Sequence, residues 1–159
     1  MSRDDLTREL HNLKNRYDPL VCIAGSAGSG KHQLIQDLAS AFRQRVSNLN
    51  TLLAEALLPL KPEERPRSVK PWLEKYLSPG SEAPCFFDPC EILWASELQI
   101  QPLVLLHQLS QVRPLVTTLA GEVRGRELII ARPGHTEYGV QKLAKLVLVK
   151  MPEEEITYL

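Results

Sequence analysis

Seven residues, Gly25-Ser26-Ala27-Gly28-Ser29-Gly30-Lys31, have the spacing G-x-x-x-x-G-K, which suits a backbone cradle for phosphate groups. The glycines let the chain turn tightly, so that successive amides point inward at phosphate oxygens. A helix starting near Gly30 adds its positive end, and Lys31 brings a mobile ammonium that reaches the β and γ phosphates. A glycine-rich turn that merely joins a strand to a helix meets the same spacing. Here an apolar run of strand length precedes the turn and a helical pattern follows it, as a phosphate cradle requires. The expected ligand is ATP or GTP, with no base-reading motif to choose between them, and ATP is taken as the cofactor together with Mg²⁺. The cofactor-binding set is Gly25, Ser26, Ala27, Gly28, Ser29, Gly30, Lys31 and His32, with Lys31 also catalytic.

Position 32 breaks the pattern. A Ser or Thr hydroxyl is expected there to coordinate Mg²⁺, and the residue is His32. An imidazole nitrogen is a poor partner for a small, hard ion that prefers oxygen. Either the metal is held by phosphates, water and a distant carboxylate, or binding is weakened. The substitution bears on hydrolysis more than on binding.

A carboxylate on a neighbouring strand is needed for the water shell of Mg²⁺. Asp88 closes the apolar run Cys85-Phe86-Phe87 and is the expected metal residue. Glu91 follows three positions later and is the expected catalytic base, or else a helix-start or surface acid, because Pro89-Cys90 bends the chain between them. Thr117 and Thr118, near the end of a further strand, either feel the γ phosphate or simply fill a sheet. Arg113, Arg124, Arg126 and Arg132 fall near strand ends. No spacing rule selects among them as a neutraliser of transition-state charge, within the subunit or from a neighbour, and Arg113 is the one named as catalytic. His135, beside Pro133-Gly134, reads as a turn residue.

The elements that position these groups are legible in outline. Ser2 and Asp5 resemble a capping box, and Leu6, Leu10 and Leu13 recur at helical spacing up to about Lys14. Leu20-Val21-Cys22-Ile23-Ala24 is the strand before the glycines. Leu34, Ile35, Leu38, Phe42 and Val46 stack along one helical face. The stretch 48–60 fits a strand running into a short helix, and the pattern does not separate the two. Residues 61–67 carry two prolines and read as a surface connection. Val69, Trp72, Leu73, Tyr76 and Leu77 resume helical spacing until Ser78-Pro79-Gly80, with the aromatic stripe serving packing rather than a nucleobase. Pro102 suits a helix first turn, with Leu103, Leu106 and Leu109 behind it. Strands are expected over 115–119, 127–131 and 146–149. Strands separated by helices imply α/β, a P-loop NTPase-like three-layer sandwich with a mostly parallel central sheet, as a single domain over 1–159.

The totals agree with that reading. A chain of 159 residues has the length of one ordinary domain and hides roughly 70% of its unfolded surface. Hydrophobic residues at 43% and charged residues at 24% exclude a disordered chain. Nineteen basic and nineteen acidic side chains cancel, which removes a global electrostatic case for DNA and leaves a local basic patch open. Cys22, Cys85 and Cys90 have no metal-like spacing and read as reduced thiols. No apolar run approaches the ~20 residues of a membrane span, so a cytoplasmic location and no membrane contact are expected.

Beyond the glycine loop, several ordered blocks resemble the BrxF family, small P-loop proteins of type 3 bacteriophage-exclusion (BREX) defence systems in bacteria. They are Phe86-Phe87-Asp88-Pro89-Cys90-Glu91-Ile92-Leu93-Trp94, Gln101-Pro102-Leu103-Val104-Leu105-Leu106, Leu109-Ser110-Gln111-Val112-Arg113-Pro114-Leu115-Val116 and Arg132-Pro133-Gly134-His135-Thr136-Glu137-Tyr138. The resemblance spans about residues 17–138. It implies that Asp88 holds the acidic Walker B position, with Glu91 as the following carboxylate. His32 and Pro89-Cys90 depart from the family pattern and put efficient hydrolysis in doubt. The resemblance also implies other defence-system proteins as partners, with DNA nearby. Separately, a chain of this length has no room for a helical lid, so completion of the site by subunit association, as a homo-oligomer, is one expected arrangement. The expected activity is a slow ATPase or nucleotide switch subunit, the alternative a non-catalytic nucleotide-binding interaction module. A small-molecule kinase would need a lid and an acceptor loop, for which the sequence offers no residues.

Overall fold

The computed structural model describes residues 3–78, 82–130 and 139–159. Ser2, Pro79, Gly80, Ala131 and the block 132–138, with Arg132 and His135, lie outside the described residues.

The chain opens with helix α1 (Arg3–His11), which buries Leu6 and Leu10 and ends two residues before the buried Leu13. Strand β1 (Leu20–Gly25) is buried throughout, and α2 (Lys31–Ala41) follows the glycine loop. Arg43, in the left-handed region at φ 54°, ends that helix. Val46 therefore belongs to strand β2 (Val46–Ser47) and not to the helical stripe its spacing suggested. Asn48 caps α3 (Leu49–Leu57) by accepting from the Thr51 amide at 3.1 Å, so the stretch 48–60 is helix without a strand. The polar segment 61–67 is less of a surface link than its prolines implied. Pro62–Glu64 forms a 3-10 turn, and α4 (Arg65–Tyr76) already begins at Arg65, because Pro66 suits a first helical turn. Next come β3 (Cys85–Phe87), a 3-10 turn over Glu91–Trp94, and α5 (Pro102–Ser110), started by Pro102 as expected. The remainder is β4 (Leu115–Ala120), β5 (Glu122–Arg124), β6 (Glu127–Ile130), β7 (Gly139–Lys142), β8 (Val147–Lys150) and β9 (Glu155–Tyr158).

The main sheet has the order β2-β3-β4-β1-β8-β9, with every pairing parallel except that of β9 with β8. Strands 5, 6 and 7 form a separate antiparallel sheet. The strand expected at 127–131 is thus in the small sheet. Only Gly125 and Arg126 separate β5 from β6, too short a link for a parallel crossover, and Gly125 takes the positive φ (58°) that the tight turn needs.

Period-two alternation divides the core. Val21 and Ile23 of β1, Phe86 of β3 and Val116 of β4 pack against Leu6 and Leu10 of α1 and Leu34, Ile35 and Leu38 of α2. Leu20, Cys22 and Ala24 face the other way, onto Leu53 of α3, Leu73 of α4 and Leu106 of α5. The fold is therefore a mixed α/β three-layer sandwich with a mostly parallel central sheet flanked by helices. The small sheet buries Val123 and Leu128 in the second of these cores, joined by Leu143 just past β7. Among the described residues no helix is long and apolar enough to cross a membrane.

Candidate functional site

Parallel strands gather their carboxyl ends along one edge, where ligands of open α/β sheets bind. Here that edge carries the glycine loop after β1, Asp88 after β3 and Thr118 near the end of β4. Gly28 (φ 78°) and Gly30 (φ 93°) hold left-handed conformations that side-chain-bearing residues rarely adopt. Gly25 is required for space. A Cβ there would stand 2.4 Å from Ser29 Oγ and 2.9 Å from Met151 Cβ. The loop thus closes tightly over the end of β1.

Lys31, the first residue of α2, is 3% exposed and curls back so that Nζ donates to the Ser26 carbonyl at 3.2 Å. Among the described residues it has no carboxylate partner. A buried ammonium with a neutral acceptor as its hydrogen-bond partner is unusual, since lysines are rarely buried unless paired. Ser29 Oγ is likewise buried and has no hydrogen-bond partner among the described residues.

The alternation that sends Val116 toward α2 also sends Thr118 that way, and Asp88, two residues beyond Phe86, falls on the same side. Thr118 Oγ1 donates to Asp88 Oδ1 at 2.5 Å, and His32 Nδ1 is hydrogen-bonded to Asp88 Oδ2 at 2.6 Å. An ionised carboxylate only accepts, so Nδ1 carries the proton. The Asp88 side chain is 7% exposed, whereas that of His32 is 61% exposed. The residue that breaks the loop motif therefore grips the expected metal carboxylate. Of the two threonines, Thr118 reaches Asp88. Thr117 points into the opposite core, where its hydroxyl donates to Cys90 Sγ at 3.3 Å and Cys90 in turn donates to the Thr118 carbonyl at 3.3 Å.

Glu91 begins the 3-10 turn and has a partner that the sequence did not reveal. Asn50 Nδ2 donates to Glu91 Oε2 at 3.2 Å, while Asn50 Oδ1 accepts from the Ile92 amide at 2.8 Å. Asn50 sits 41 positions from Glu91, and no local pattern marks it. A cleft of about 420 Å³ opens beside the loop, lined by Ser26 and Ala27, by Thr118 and Leu119, and by Glu91 and Trp94. That volume is within the range of small-molecule sites.

Arg113 is not part of this edge. It precedes β4 at the amino-terminal end of the strands, beside Pro114 and the start of β3. Its Nε donates to the Ala83 carbonyl at 2.7 Å and its Nη1 to the Leu77 carbonyl at 3.1 Å, so it pins the entry to β3. Within its own chain Arg113 therefore does not reach the loop, because β4 separates the two by its full length, and of the two expected roles only the one within the subunit is corrected. Arg124 is exposed and bonded to Glu122, and Arg126 occupies the exposed β5–β6 turn. The three cysteines are free and buried.

Among the described residues no three His, Cys, Asp or Glu side chains converge as a cage for a metal. A cation at this edge would need oxygens from its own ligand as well as from Asp88. Comparison with protein-family models, with curated proteins and with solved structures finds no match to this chain.

Proposed function

We propose that this chain binds ATP with Mg²⁺ on the 25–31 loop and acts as a slow ATPase or nucleotide switch subunit. The buried Lys31 ammonium carries this reading, for it faces the loop backbone without an acid to neutralise it. An anion delivered to the loop would supply that missing charge, and charge-assisted hydrogen bonds are among the stronger ones available. The left-handed Gly28 and Gly30 and the unpartnered Ser29 hydroxyl fit the same ligand. Loop amides and the amino end of α2 would hold its phosphates.

The donor set also fits Mg²⁺, because Asp88 and Thr118 offer oxygens. Asp88, backed by Thr118, would hold the metal's water shell, while Glu91, oriented by Asn50, would accept a proton from the attacking water. When bound, Mg²⁺ supplies neutralisation of charge on the β and γ phosphates. His32 opposes this by occupying one Asp88 oxygen, which supports slow turnover. The resemblance to BrxF supports a place in a bacterial phage-defence system, with other proteins of that system as partners.

The same His32–Asp88 contact favours a second reading, a nucleotide-binding interaction module without turnover. Phosphate release and ATP affinity, measured on the parent and on Lys31→Ala with and without Mg²⁺, separate the two. Release that Lys31→Ala abolishes supports the enzyme, and tight binding without release supports the module. Unchanged ATP affinity in a folded Lys31→Ala protein overturns both.

A further inference from the structure

The edge opposite the glycine loop holds a second concentration of chemistry. Before β2, the chain runs Phe42-Arg43-Gln44-Arg45, and Arg113 approaches the same place from the segment before β4. Arg43, Arg45 and Arg113 line one cleft of about 390 Å³ together with Gln44, Ser47 and Tyr76, and among the described residues no carboxylate lines it. Arg43 and Arg45 are exposed and, among the described residues, make no side-chain hydrogen bond or ion pair. The Arg113 guanidinium is fixed in orientation entirely by neutral acceptors. These are the carbonyls of Ala83, Leu77 and Pro84 and, at 3.4 Å, Gln44 Oε1. Three positive charges therefore share a concave surface with nothing in its lining to neutralise them.

Two further features argue against an incidental cluster. Arg43 stands at φ 54° just past the end of α2, a position where glycine is the ordinary choice and a side chain costs backbone strain. The Ser47 and Tyr76 hydroxyls meet at 2.7 Å. One of them donates to the other, which leaves a single O–H free to donate to an incoming oxygen. Guanidinium groups with a hydroxyl donor match phosphate oxygens in charge and geometry.

We propose that this cleft is a second anion site, separate from the glycine loop, that takes the phosphates of a chain anion, either a phosphodiester backbone or a polyphosphate. The test uses the full chain and a fluorescein-labelled single-stranded oligothymidylate, with binding followed by anisotropy at several salt concentrations. Arg43→Ala/Arg45→Ala should weaken binding by tenfold or more and make the log–log salt slope shallower by about 1.4, the value for two lost contacts to a single strand. Arg43→Lys/Arg45→Lys should recover most of the slope, and Lys31→Ala should bind like the parent. Inorganic tripolyphosphate, titrated against the complex of the Lys31→Ala protein, separates the sources. Displacement assigns the site to a polyphosphate, and persistence of the complex assigns it to a nucleic-acid backbone. Failure of the parent to bind either probe at low salt overturns the proposal. So does equal affinity in the alanine double variant, or loss of binding in Lys31→Ala alone. Because both arginines are exposed and unpartnered, their removal should leave the thermal unfolding midpoint unchanged.

Discussion

Lys31 and His32 are neighbours with opposite consequences. Lys31 is buried in the loop without an acid, and a charge-assisted contact is worth about 1.5–3 kcal/mol, tenfold or more in affinity. Lys31→Ala should therefore lose ATP binding by at least that factor while remaining folded, as calorimetry and circular dichroism would record. His32 instead holds Asp88 Oδ2. His32→Ser removes the imidazole and returns a hydroxyl to the position, so the Mg²⁺ concentration for half-maximal ATP binding should fall. Superimposable Mg²⁺ titrations of parent and variant would make His32 a bystander. Asp88→Asn should reduce turnover far more than metal-free nucleotide binding, and equal turnover at saturating Mg²⁺ would move the acidic role away from Asp88.

Among the elements, the joint between β1 and α2 is tightly constrained. An alanine Cβ at Gly25 would meet Met151 Cβ at 2.9 Å and Ser29 Cβ at 3.0 Å, and neither atom can rotate away. Gly25→Ala should push the loop off the end of β8, cost about 1–3 kcal/mol in urea unfolding and weaken ATP binding. Gly28→Ala is a different case, for its Cβ would meet nothing within 4 Å and the cost is the left-handed backbone at φ 78°, about 1–2 kcal/mol. A Gly25→Ala protein as stable and as tight-binding as the parent would refute the close packing of this joint.

At the scale of the whole molecule, the two faces of the sheet are buried by different helices, and three thiols lie within the fold. Burial raises the Cys90 thiol from an ordinary 9.0 to about 12, and burial followed by the neighbouring Cys90 raises Cys22 as well. The folded chain keeps these protons where the unfolded chain releases them. The stability that these protons contribute is therefore fully present below about pH 9 and declines as pH rises from there toward 12. Urea unfolding at pH 7, 8.5 and 10.5 should show the fall at the highest pH, reduced in Cys22→Ala/Cys90→Ala. Saturating ATP should act in the opposite sense, adding about 2.7 kcal/mol at a hundred times its dissociation constant. A thermal midpoint indifferent to ATP in the parent would count against the loop as a nucleotide site.

The sequence by itself determined the parts whose signal is local. The G-x-x-x-x-G-K spacing between an apolar run and a helical stripe placed the loop, and Pro102 placed the start of α5. The apolar run ending at Asp88 placed that carboxylate at a strand end. Long-range pairing decided the rest. Val46 keeps helical spacing past Arg43, yet the left-handed turn there moves it into β2. Thr117 and Thr118 are equivalent as letters, and the pleat alone turns Thr118 toward Asp88 and Thr117 toward Cys90. Asn50 meets Glu91 across 41 residues, and Arg113 lies at the edge opposite the loop, because sheet order and strand direction set which ends of the strands come together. Such contacts join segments distant in the chain, and no window of sequence contains both partners.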